Sequence, residues 1–149
     1  MADPHEIAQK TLARKSTTNA LDYGKLPPQN KELEEAVLGA VMIDKNAILN
    51  IAELFQPEVF YVDAHQRIAK AIKELYEARN PIDSLTVVEV LKKNGDLENA
   101  GGPFYVAQLT GKIGSSAHIE YHMRVVIEKY IARMLVSSGT EQIRDAYED

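Results

Sequence analysis

His118 and His122 stand four residues apart, a spacing that on a helix puts both imidazoles on one face, as a metal site requires. The zinc-protease pattern places a glutamate directly after its first histidine. Here Glu120 lies midway between the two, and no third ligand follows. The pair reads as two solvated histidines on a helix surface. Gly111-Lys112 resembles the end of a phosphate-binding loop, which also needs a glycine five positions earlier and Ser or Thr after the lysine. Val106 and Ile113 occupy those places. Asp44 and Asn46 are spaced like the start of a calcium loop, but Leu49 and Phe55 replace its glycine and closing glutamate, so Asp44 reads as a helix cap. His65, beside an apolar stripe, reads as an ordinary boundary residue. No serine elbow or isolated acid pair is present, so the expected catalytic, metal-binding and nucleotide-binding sets are empty.

Composition limits the classes further. The 149 residues are 45% apolar and 26% charged, which suits one globular domain, with net charge −5. Direct nucleic-acid binding favours a basic face. The longest basic runs here are Arg14-Lys15 and Lys92-Lys93. Cysteine is absent, which excludes disulfides and thiolate metal sites. No apolar run approaches the roughly 18 residues of a membrane span, and MADPHEIAQK lacks a signal-peptide core. A soluble, cytoplasmic protein is expected.

The elements that must position these residues are helices. Residues 1–27, rich in Ser, Thr and Asn and ending in Pro27-Pro28, read as a flexible leader. Asn30 caps a helix at 31–42, and Asp44 caps another at 45–54. Val59-Phe60-Tyr61 forms an apolar plug after Pro57. Asp63 with Gln66 makes a capping-box pattern opening a helix to Arg79, with Ile68, Ile72, Leu75 and Tyr76 inward. A second box, Thr86 with Glu89, precedes a stop at Asn94-Gly95. Pro103 starts a short helix at 103–110, and Ser116 caps a long one at 117–136. Ser138 with Glu141 is a third box pattern, so a turn is expected at Ser137-Ser138-Gly139, with a last helix from Thr140 cut off at Asp149. No segment alternates long enough for a strand, and the expected class is all-α.

The long helix is apolar on two sides. Ile119, Met123, Val126, Ile127, Tyr130 and Met134 form one stripe, enough for docking on a core. Tyr121, Val125, Leu135 and Val136 fall on another side, and Ile143 joins them from the final helix as the candidate interface set. A second apolar side is covered by the chain's own last helix or by a partner.

Gly24-Lys-Leu-Pro-Pro-Gln-Asn30 followed by Glu35-Ala-Val-Leu-Gly-Ala40 resembles the opening of the bacterial replicative DNA helicase, the DnaB family. The likeness continues through Phe60-Tyr61, His65, Asn80-Pro-Ile-Asp83 with Thr86, Leu97-Glu-Asn-Ala-Gly-Gly102, Tyr105, Leu109, and Tyr121 to Arg133. It covers roughly residues 24–148. The resemblance implies an N-terminal domain, with a helical head at 28–114 and at 115–149 a self-associating hairpin whose second helix is truncated. It further implies that hairpins pair between subunits, that the domains form a collar on a hexameric ring, and that the collar docks the C-terminal domain of a DnaG-type primase. A helicase loader is a further implied partner. The family's RecA-like motor, which uses ATP and Mg2+ to move 5′-to-3′ along single-stranded DNA, would lie outside these residues. Two other classes compete: a helical DNA-binding regulator, with Thr86–Asn94 as its best recognition helix, and a small metal enzyme using His118 and His122.

Overall fold

The computed structural model describes residues 26–112 and 115–148, and among them the only regular elements are helical. The leader expected at 1–27 falls almost wholly outside these residues. Helix α1 runs Lys31–Ile43, α2 Ala47–Ile51, α3 Asp63–Glu77, α4 Ser84–Lys93, α5 Gly102–Gly111 and α6 Ile119–Glu148, with a 3-10 turn at Pro57–Val59. Residues Gln29–Tyr130 form one compact unit, so the start of α6 belongs to it.

The start of α1 follows from local chemistry. Asn30 sits in extended backbone, and its side-chain oxygen accepts the Leu33 amide at 3.0 Å, satisfying one of the donors that a helix start leaves open. Val37, Leu38, Ala40, Val41 and Met42 are then buried, and α1 packs on both α3 and α5. Helix α3 contributes Ile68, Ala69, Ala71, Ile72 and Leu75, α4 contributes Val87 and Leu91, and α5 Val106 and Leu109. Ile119, Met123 and Val126 of α6 join the same core. Each large side chain buried in this way contributes about 1.5–3 kcal/mol.

Several helix boundaries differ from the expected ones. The second helix is only Ala47–Ile51, because the side chain of Asp44 accepts the Asn46 amide at 2.9 Å in a turn of its own. Asp63 and Gln66 form no capping box: Asp63 pairs with Arg67, and Gln66 donates to the Phe60 carbonyl. The box before α4 lies one turn earlier than expected. Asp83 accepts the Thr86 amide and Thr86 accepts the Asp83 amide, both at 2.9 Å. Ser116 does not cap α6 with its side chain; its hydroxyl donates to Asp44. The stop at Gly95 occurs where expected, with φ +73°.

The largest difference is at 137–139. No turn interrupts the chain there, and α6 is one helix of 30 residues, about 45 Å long. Gly139 disfavours a helix interior by only about 1 kcal/mol relative to alanine. Met134 and Leu135 before it, and Glu141, Gln142 and Arg144 after it, are good helix formers and carry the helix through. The Thr140 hydroxyl donates to the Val136 carbonyl at 2.8 Å, and Gln142 reaches Ser138 one turn back at 3.4 Å. The Ser138–Glu141 spacing is thus that of neighbours on a helix surface.

Candidate functional site

Two arrangements stand out, one sealed in the head and one on the outside of α6. The sealed one begins with Glu34, which faces inward on α1 and is 1% exposed. Its carboxylate accepts the Tyr61 amide at 2.9 Å, the Val62 amide at 3.3 Å and meets His65 Nδ1 at 2.8 Å. Val62 precedes α3 and offers no side-chain cap. Glu34 therefore caps α3 from another helix, its negative charge sitting at the positive end of the α3 dipole.

His65 is fully buried, which corrects its reading as a boundary residue. Its other ring nitrogen, Nε2, lies 2.6 Å from the Tyr105 hydroxyl on α5, and the two rings are parallel within 4°. Tyr105 lies 3.2 Å from Glu35, which also accepts Lys112 at 3.1 Å. Burial, and after it the negative charge and hydrogen bond of Glu35 and the charge of Glu34, push the Tyr105 hydroxyl far above the usual phenol range, so it keeps its proton. Glu34 already accepts two amides, which makes Nδ1 the ring's donor. Nε2 faces the oxygen of the Tyr105 hydroxyl, which donates its proton to Glu35. The network joins α1, α3 and α5. Among the described residues no buried side-chain nitrogen or oxygen lacks a partner.

Gly101 makes the Tyr105 placement feasible. Its φ of +97° is in the left-handed region, and a Cβ there would stand 2.7 Å from the Tyr105 ring. Lys112, the false end of a phosphate loop, is held by Glu35, while Ile113 lies outside the described residues. Asp44 is held below the usual carboxylate range, first by the Ser116 hydroxyl and then by the Asn46 amide.

The second arrangement is the outer side of α6. Advancing about 100° per residue, Tyr121, Val125, Leu135, Val136 and Ile143 fall within one sector of about 100°, roughly opposite Ile119, Met123 and Val126. Tyr121 and Leu135 are each 68% exposed, and Val136 and Ile143 are exposed as well, whereas Val125 is half-buried. Tyr147, 88% exposed, widens that sector to about 120° and was missed by the sequence reading, although the same periodicity reaches it. On the inner stripe Ile127 and Tyr130 are partly buried, but Met134 is exposed, because the compact unit ends at Tyr130. Past that point the Arg133 guanidinium donates to the Pro28 carbonyl at 2.8 Å.

His118 and His122 also lie on α6 and its approach, with ring centroids 6.3 Å apart. Among the described residues no group of three or more His, Cys, Asp and Glu side chains converges as a metal site. A cleft of about 280 Å³ opens between Ile48, Phe55 and Tyr76, and Lys73 donates to Gln56 on its wall at 2.6 Å. None of the described helices is long and apolar enough to cross a membrane.

Residues 26–128 match the model of the DnaB-like helicase N-terminal domain. The chain is 44% identical, over 99% of its length, to the replicative DNA helicase DnaB of Rhodothermus marinus, and 37% identical, over 83%, to that of Geobacillus stearothermophilus. It spans 17% and 27% of those relatives. Its fold is similar to the crystal structure of the N-terminal domain of DnaB helicase from Mycobacterium tuberculosis. The TM-score is 0.79 at 35% identity, covering 83% of this chain and 88% of that one. The matched segment takes in the Glu34–His65–Tyr105 network and the first third of α6, and on these matches the chain belongs to the DnaB-like helicase N-terminal domain family.

Proposed function

We propose that this chain is the collar module of a replicative helicase, pairing with copies of itself in the ring and docking the C-terminal domain of a DnaG-type primase. The observation that carries the reading is the outer side of α6, where Tyr121, Leu135, Val136 and Ile143 hold apolar surface in water along one sector. Large apolar side chains exposed repeatedly along one side of a helix mark a protein contact. Val125, half-buried, lies within the same sector. The whole protein would add a RecA-like motor that hydrolyses ATP with Mg2+ and moves 5′-to-3′ on single-stranded DNA. A loader would engage the same ring, and the work would be done in the cytoplasm. The family membership supports this extension.

Charge at the contact tests the self-pairing. Tyr121→Glu and Leu135→Glu change exposed residues, so the helical signal and melting temperature stay near those of the parent chain. Sedimentation equilibrium should then show self-association weakened at least tenfold, since a charge would be buried without a partner. Unchanged association in both variants would reject the assignment of this side.

A DNA-binding regulator is the rival reading. Thr86–Asn94 corresponds to α4, whose cations Lys92 and Lys93 sit in its last turn while Val87 and Leu91 face the core. Nothing in that helix favours it as a groove reader.

A further inference from the structure

The histidines of this chain are in different situations. His65 has both ring nitrogens engaged, facing Glu34 at 2.8 Å and Tyr105 at 2.6 Å. His5 lies outside the described residues. His118 and His122 stand at the start of α6, where the His122 amide donates to the His118 carbonyl at 2.9 Å. One closed helical turn therefore separates them, although regular helix begins at Ile119. Their ring planes are inclined at 63° with centroids 6.3 Å apart.

We propose that His118 and His122 form a two-point chelate for a divalent transition-metal ion of the zinc type, with water in the remaining coordination positions. Two imidazole nitrogens at about 2.0–2.1 Å from one tetrahedral ion put the ring centroids roughly 5 Å apart. Side-chain rotation closes the difference from 6.3 Å while the backbone turn stays fixed. Imidazole suits zinc, copper and nickel, whereas magnesium and calcium want oxygen ligands. Glu120 is engaged with Arg124 at 2.8 Å, so it does not convert the pair into an oxygen-rich site, and its charge is balanced locally.

The positive end of the helix dipole opposes a cation at this position. Against it stands the chelate advantage. Once one ring has bound, the other is presented at an effective concentration in the millimolar range or above. An ion held only by the closed turn also stabilises that turn by mass action. At about 100° per residue both histidines fall beside Tyr121 and Val125, so the ion would mark the first turn of the outer side of α6. The chelate itself does not depend on that side being a protein contact.

The test titrates the whole 149-residue chain with Zn2+ by calorimetry, using His118→Ala, His122→Ala and His5→Ala variants whose helical content is checked by circular dichroism. The expected result is one ion per chain, at least tenfold weaker binding in either His118→Ala or His122→Ala, no change in His5→Ala, and no competition from Mg2+. Undiminished binding in the His118 or His122 variant, loss on removing His5 instead, or no binding up to millimolar Zn2+ would each overturn it.

Discussion

The Tyr105 hydroxyl donates to Glu35 at 3.2 Å and lies 2.6 Å from His65 Nε2. Lys112 in turn holds Glu35. Tyr105→Phe keeps the ring packed against His65 but leaves the buried Nε2 and Glu35 each without their tyrosine partner. A loss of about 1–3 kcal/mol is expected from urea unfolding. Asp44 makes a different prediction. Its folded pKa lies below the usual 3.8, so its contribution to stability is complete above that value and fades as pH falls through the lowered one. Asp44→Asn should therefore flatten the acid limb of the stability profile below about pH 4. An unchanged acid limb would show that the Ser116 contact carries no linkage. Neither residue's role was fully legible in the sequence. Asp44 read as a helix cap, whereas its side chain holds a turn with the Asn46 amide, and its Ser116 partner is 72 positions away. His65 looked ordinary because periodicity reports burial of apolar side chains, and its partners on α1 and α5 meet it only in the fold.

The helices themselves were legible because apolar spacing and stop signals are local. Asn30, Gly95 and Pro103 each act within a few residues, and the elements near them lie close to where the sequence puts them. Capping boxes were less secure, since a Thr-to-Glu or Asp-to-Gln spacing recurs by chance inside helices. At Asp63 a distant carboxylate, Glu34, satisfies the helix start instead. The continuous α6 makes a sharp prediction. Gly139 sits mid-helix with nothing within 4 Å of where a Cβ would stand. Gly139→Ala should raise helicity by circular dichroism and stabilise α6 by up to about 1 kcal/mol. A turn at 137–139 with glycine in the left-handed region would give the opposite sign.

At the scale of the whole molecule, the burial of α6 divides its two apolar sides. The inner stripe is consumed by the head only as far as Tyr130, while the outer sector runs on to Tyr147. The sequence revealed both stripes, because helical phase needs no tertiary information. It could not tell which residues the head would cover, and so Met134 was placed inside although it is exposed. Net charge −5 suits a protein partner with a basic or apolar face better than it suits a phosphate backbone. Light scattering on a sizing column tests the proposed docking role of the outer sector. This chain and the C-terminal domain of its own organism's primase would be run together and apart, with Leu135→Glu beside the parent chain. The expected result is a co-eluting complex of summed mass that Leu135→Glu weakens. A complex that forms equally well with Leu135→Glu, or separate elution at concentrations well above those of a working replication complex, would contradict it.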